Sequence, residues 1–171
     1  MVKLAIPSIK YKKSFLEAVN EPGAQELFSR FEKLYDEETF DELVDQIKDY
    51  SKGVNLKAGF VPESTFWLVE GDEYIGRVSI RHELNENLMR TGGNIGYDIR
   101  PSKRGMGYGK EILRLGLEKA KELGLKKVLV TCSVWNPASK KIIEDNGGIF
   151  ENEVKGGPGK SDVLRYWIDI K

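Results

Sequence analysis

Apolar residues recur along the chain with two spacings, every second position or every third to fourth, and these divide it into short strands and amphipathic helices. Lys3 to Ile9 reads as a short strand closed by Pro7 and Ser8, and Tyr11 to Asn20 as a helix ended by Glu21-Pro22-Gly23. Ala24 to Tyr35 and Phe40 to Tyr50 predict two further helices. Leu27, Phe28, Phe31, Leu34 and Tyr35 line one face of the former, and Phe40, Leu43, Val44 and Ile47 one face of the latter. Thr65 to Glu70 and Tyr74 to Asn85 predict a hairpin across Gly71-Asp72-Glu73, followed by a polar connection from Glu86 to Gly93.

The second half repeats the alternation more sharply. Ile95, Tyr97 and Ile99 point one way along a strand. Ile112, Leu113, Gly116, Leu117 and Ala120 then share one helical face, with Arg114, Glu118, Lys121 and Glu122 off it, and Gly124 stands where a left-handed residue stops a helix. Lys127 to Cys132 is a continuous apolar strand, as expected when both faces are covered. Asn136-Pro137 supplies a cap and a first-turn proline for a helix that carries Ile142 and Ile143 and ends at Gly147-Gly148. Ile149 to Val154 and Val163 to Ile170 close the chain as strands around residues 156–160, a glycine-rich stretch that reads as a hairpin tip because no helix follows it.

The strand–helix–strand unit from Asn94 to Cys132 requires a parallel pair with a right-handed crossover. With hairpins elsewhere, the expected fold is α/β, one mixed, mostly antiparallel sheet with a single parallel pair and flanking helices. Repeats, linkers and low-complexity tracts are not seen, so residues 1–171 read as a single domain.

Between the strand and helix of that unit lies the turn Arg104-Gly105-Met106-Gly107-Tyr108-Gly109-Lys110. Glycines let a backbone take positive φ and bring its N–H groups close to a ligand, and the following helix N-terminus adds orphan N–H donors and partial positive charge. Together they suit a phosphate, with Arg104 and Lys110 adding full charge. A P-loop is excluded, because only three residues separate Gly105 from Gly109 and Glu111 follows Lys110. The dinucleotide fingerprint fails as well, since Lys110 or Ile112 stands where its third glycine belongs. The pattern that fits is Arg-x-x-Gly-x-Gly, met by Arg104, Gly107 and Gly109.

In this loop, set between a strand ending in Arg100-Pro101 and a long amphipathic helix, the chain resembles the GNAT superfamily of N-acetyltransferases. The order of elements is similar over nearly the whole chain, and the specific motifs run from about Ile95 to Gly148. The resemblance implies acetyl-CoA as co-substrate, no metal, and a parallel strand pair splayed apart with pantetheine between. On this reading the loop from Arg104 to Lys110 takes the pyrophosphate, and backbone groups around Ile99 and Arg100 pair with the pantetheine amides. Asn136 and Ser139 match the family's Asn-x-x-Ser/Ala motif, Asn136 combining a helix cap with a cofactor contact. The implied reaction is transfer of an acetyl group to a primary amine, in a small molecule or a peptide. A longer acyl group, or an acyl-CoA-binding module without turnover, are the alternatives.

Two departures bear on catalysis. Many members place a tyrosine on the helix after that asparagine as general acid, and here Ile143 holds its place. Many also place a Glu or His near the start of the central strand as base, where this chain has Gly93 and Asn94. Glu83, on the strand expected to pair with the central one, is the leading replacement, with Asp98, His82 or water as alternatives. His82 shares the face of Val78, Ile80 and Leu84, which also suits a packed core histidine. Cys132 reads as a buried strand-end residue, since no histidine neighbours it in sequence.

Composition narrows the setting. Lys+Arg and Asp+Glu are equal at 27 each, so no overall field favours nucleic acid or an acidic membrane. The acidic run Asp36, Glu37, Glu38, Asp41, Glu42 reads as a solvated helix start rather than a cation-binding rim. One cysteine and one histidine make a disulfide framework or structural zinc site an unfavourable reading. No apolar run spans a bilayer and the start lacks a signal-peptide core, so a cytoplasmic monomer or homodimer is expected.

Overall fold

The alternating segments lay down one sheet. In the computed structural model, which describes residues 1–24 and 36–171, its strands are Lys3–Ala5 (β1), Glu63–Glu70 (β2), Glu73–Arg81 (β3), Ile95–Ile99 (β4), Lys127–Ser133 (β5), Ile149–Val154 (β6) and Val163–Asp169 (β7). They pair in the order β1-β2-β3-β4-β5-β7-β6. Only β4–β5 is parallel among the described strands; every other pair is antiparallel. Helices Lys12–Val19 (α1), Phe40–Ser51 (α2), Tyr108–Glu122 (α3) and Pro137–Asp145 (α4) flank the sheet. From residue 25 on, the helix expected over Ala24 to Tyr35 lies outside the described residues.

Each face of the sheet has its own core. On one, Val78, Ile80, Ile95, Val128 and Val130 bury against Ile112, Leu113 and Ala120 of α3 and Ile143 of α4. Gly116 brings α3 down onto β3, since a Cβ there would lie 2.9 Å from Val78 Cγ2. On the other, Phe15 stacks on Trp67 with ring centroids 4.8 Å apart, and Phe40, Leu43, Val44 and Ile47 close over Trp67, Val69 and Tyr74. Each such side chain, fully buried, contributes about 1.5–3 kcal/mol, and this burial holds α1 and α2 to β2 and β3.

Two strands are shorter than their patterns. β1 stops at Ala5, before Pro7. β3 stops at Arg81 although the alternation continues through His82 and Leu84. The cause is Asn85, whose Oδ1 accepts from Leu88 N–H (3.0 Å) and whose Nδ2 donates to Gly59 C=O (2.9 Å). It pulls the chain off the ladder into a single wide helical turn, Leu88–Gly92. Among the described residues no helix is long and apolar enough to cross a membrane.

Candidate active site

The parallel pair at the centre of the sheet barely pairs. β3 and β4 match from Gly76↔Ile99 to Ile80↔Ile95, whereas β4 and β5 match only at Ile95↔Val130 and then part. Arg81 N–H donates to Asn94 C=O (2.8 Å) and Arg100 N–H to Ile75 C=O (2.9 Å). By the alternation of an antiparallel ladder, Gly96 and Asp98 also turn their backbone groups to β3, so those of Tyr97 and Ile99 turn toward the diverging β5. Arg104 Nε donates to Ile99 C=O (3.2 Å) at the mouth of this opening.

Arg100, expected beside Ile99, is committed elsewhere. Its C=O accepts from Lys103 N–H (3.0 Å). Its buried guanidinium donates to Glu21 Oε1 (2.7 Å), Ser14 Oγ (3.3 Å) and Tyr74 C=O (3.0 Å). Glu21 also accepts from Ser102 N–H (2.9 Å) and Ser102 Oγ (2.7 Å), tying the end of α1 to the loop. Burial works to raise the Glu21 pKa, but the bonds from Arg100 and Ser102 outweigh it and hold the carboxyl below its ordinary range.

The glycines of the loop do different jobs. Gly105 (φ 76°) and Gly107 (φ 87°) take left-handed backbone with open space around them, so conformation alone demands glycine there. Gly109 is helical, and a Cβ on it would meet Ile142 Cδ1 at 2.5 Å, so it sets the approach of α3 to α4. α3 begins at Tyr108 with no side-chain cap bond; Lys110 N–H donates to Gly107 C=O (3.1 Å), so the orphan donors are those of its first residues, Tyr108 and Gly109. Lys110 lies 3.6 Å from Asp145, and Met106 is exposed.

α4 forms the other wall. Asn136 Oδ1 accepts from Ser139 N–H (2.9 Å), the helix cap expected from sequence. Ser139 Oγ lies 2.9 Å from the hydroxyl of Tyr97, so two hydroxyls bridge β4 and α4 across the opening. Burial, against the Ser139 bond, pushes the Tyr97 pKa up to about 12. Ile143 is fully buried in the core. Sequence reasoning missed the Tyr97 hydroxyl; a polar tip on the helix-covered face it shares with Ile95 and Ile99 was the available signal. Two residues beyond Ile95↔Val130, Tyr97 and Cys132 face each other from the two strands on one side of the sheet. Burial raises the Cys132 thiol pKa.

On the opposite side of β4 is a cavity of about 190 Å³ lined by Arg77, Ser79, Arg81, Gly96, Tyr97 and Asp98. Asp98 Oδ2 accepts from Arg77 Nε (2.7 Å), while its Oδ1 is buried without a hydrogen-bond partner among the described residues. Burial raises the Asp98 pKa, and Arg77 opposes that only in part. A second cavity of about 300 Å³ shares Arg81 and adds Gly59, Phe60, Val61, Glu63 and Leu88. Glu63 Oε2 lies 3.2 Å from Arg81 Nε. Of the other base candidates, Glu83 is exposed in the bend beyond β3, and His82 Nε2 lies 2.9 Å from Ser64 Oγ. Among the described residues no group of three or more His, Cys, Asp or Glu side chains is placed to hold a metal ion.

The parallel pair splays at the mouth of a glycine loop and a helix N-terminus, the arrangement that the resemblance to the GNAT superfamily implies. A family model described as an acetyltransferase (GNAT) domain matches residues 12–149, and the chain belongs to that family. A search of curated protein sequences gives no match. Among solved structures, it is similar to the ribosomal L7/L12 α-N-protein acetyltransferase RimL, in complex with CoA through a cysteine disulfide, at TM-score 0.68 and 17% identity over 99% of this chain and 94% of that one. The microcin C7 self-immunity acetyltransferase MccE, with acetyl-CoA and AMP, matches at TM-score 0.68 and 17% identity over 99% and 92%. Spermidine N-acetyltransferase from Vibrio cholerae, with CoA and spermine, matches at TM-score 0.63 and 21% identity over 99% and 95%.

Proposed function

We propose that this chain is an acetyl-CoA-dependent N-acetyltransferase that acts on a primary amine by direct attack. The observation that carries the proposal is the opening between β4 and β5, with the backbone of Tyr97 and Ile99 turned into it and the uncapped start of α3 at its mouth. An amide-bearing arm suits that open edge, because strand N–H and C=O groups need partners. The N–H groups of the stretch from Gly105 to Gly109, with the side chains of Arg104 and Lys110, suit a pyrophosphate. Asn136 and Ser139 form the facing wall. Cys132 faces Tyr97 across the same opening, so on this reading a thiol lies beside the thioester.

Acetyl-CoA, when bound, supplies an activated thioester carbonyl. Asp98 accepts the proton of the incoming ammonium, directly or through one water: it lies on the cavity side of β4, one of its oxygens is free to accept, and its raised pKa makes it a stronger base. Tyr97, bonded to Ser139, gives the departing thiolate its proton as the C–S bond breaks and regains one from the second proton that the new amide nitrogen sheds through water. A phenol held at about 12 is protonated at neutral pH before the step. The Tyr97 N–H, on the open edge of β4, can steady negative charge building on the carbonyl oxygen. Arg77 and Arg81 share the cavity wall with Asp98, which favours a monoamine, such as a peptide N-terminus, over a polycation.

An acyl-CoA-binding module without turnover is the second reading, favoured by Ile143 where the resemblance to the family implies a tyrosine. Release of CoA thiol over a panel of peptide N-termini, lysine-like amines and spermidine separates the two. Turnover with a monoamine supports the enzyme; acetyl-CoA binding with no turnover on any amine supports the module.

A further inference from the structure

We propose that Asn94 is the positioning residue that fixes where β4 and β5 part, and so sets the width of the opening for the pantetheine arm. This rests on the reading that acetyl-CoA threads that opening.

Asn94 is 4% exposed and uses its backbone and side chain together on both neighbouring strands. Toward β5, its N–H donates to Leu129 C=O (2.7 Å) and its Oδ1 accepts from Leu129 N–H (2.9 Å). Toward β3, its C=O accepts from Arg81 N–H (2.8 Å) and its Nδ2 donates to Arg81 C=O (3.3 Å). In a regular parallel ladder a backbone carbonyl of the neighbouring strand would accept from Leu129 N–H. The Asn94 side chain stands in for that carbonyl.

The nearby carbonyls are engaged elsewhere. Gly92 and Gly93 C=O both accept from Arg81 Nη1 (3.1 Å each). Gly93, at φ 67°, brings the chain so close that a Cβ on it would lie 2.5 Å from Leu129 O. Thr131 Oγ1 donates to Thr91 C=O (2.8 Å), a second tie from β5 to the turn before β4. These ties all lie at one end of the parallel pair. One residue later comes the single register pair, Ile95↔Val130, and then the strands separate. The site is therefore an apex held by side chains, with an open wedge beyond it. Without the Asn94 amide, the Leu129 N–H loses the oxygen it donates to at the buried apex and the bond to Arg81 C=O goes with it, so the strands must shift.

The test uses the full chain, with binding of acetyl-CoA and of 3′-phosphoadenosine 5′-diphosphate measured by calorimetry. The nucleotide probes the loop and lacks pantetheine. Asn94→Ala should weaken acetyl-CoA binding by roughly tenfold and leave the nucleotide within about twofold, as expected for lost buried hydrogen bonds at the arm alone. Thr131→Val, nearly isosteric, should weaken acetyl-CoA binding by about threefold with the same selectivity. If circular dichroism shows that Asn94→Ala fails to fold, Thr131→Val decides. Unchanged acetyl-CoA affinity in the folded variants, or equal loss of both ligands, overturns the proposal while leaving the cofactor reading intact. A wild-type protein that binds neither ligand overturns both.

Discussion

Replacing Asp98 by Asn removes the proposed proton acceptor while keeping its shape. The Arg77 and Asp98 side chains are only 16% and 12% exposed, and their bond is 2.7 Å. An amide oxygen can still accept from Arg77 Nε, so the geometry holds but the charge goes. Truncating either partner of a buried pair costs about 3–5 kcal/mol. The Asn variant retains one hydrogen bond and should lose about 1–2 kcal/mol, leaving a folded protein. Catalysis should suffer more. Loss of a general base lowers kcat by roughly a hundredfold or more, about 2.7 kcal/mol of barrier. The assay is kcat against pH for wild type, Asp98→Asn and Glu83→Gln. Because burial raises the Asp98 pKa, the ascending limb of the wild type should lie above the ordinary aspartate value of 3.8. Activity requires the ionised form, so the rate rises as pH climbs through that limb. Asp98→Asn should lose the rate and the limb, and Glu83→Gln should keep both. The wild-type rate and limb in Asp98→Asn would refute this reasoning; their loss in Glu83→Gln would assign the proton to the exposed carboxylate in the bend.

Three further outcomes are expected. Gly107→Val forces a branched side chain into φ near 87°, a strain of roughly 1–2 kcal/mol, and should abolish the rise in melting temperature that acetyl-CoA gives the wild type. Tyr97→Phe removes the hydroxyl beside Ser139 and should lower kcat by about a hundredfold with little change in the KM for acetyl-CoA, both read from steady-state kinetics. Glu21→Gln should lose about 2 kcal/mol at neutral pH. The folded-state pKa of Glu21 lies below 4.5, so its contribution is present above that value and fades as pH falls through the folded pKa; denaturant melts of wild type and variant should converge in acid.

Patterns with a local cause were legible in the sequence. Ile95, Tyr97 and Ile99 alternate because a strand alternates, and Asn136-Pro137 caps a helix because those residues serve that end of one. The requirement for glycine at 105 and 107 follows from the turn itself. Contacts between distant residues were not legible. Glu21 and Arg100 are far apart in sequence, and the pairing that buries the Arg100 side chain has no local signature. Tyr97 meets Ser139 only after α4 packs against α3 through Gly109 and Ile142. Asn85 ends β3 through a side-chain bond to the following turn, which hydrophobic alternation does not register, and so Glu83 lies beyond the strand. Asn94, chiefly notable in sequence as not being an acid, closes the apex of the split through a bond to Leu129.

The central claim is that an acyl-CoA arm lies between β4 and β5 with its pyrophosphate on the loop before α3. A crystal structure of the protein with acetyl-CoA tests it directly. The account predicts pantetheine amides within hydrogen-bond distance of the Tyr97 and Ile99 backbone, phosphate oxygens on the N–H groups from Gly105 to Gly109, and the thioester between Tyr97 and Cys132. Acetyl-CoA bound elsewhere on the sheet, or an opening that closes with the strands paired beyond Ile95, would contradict it.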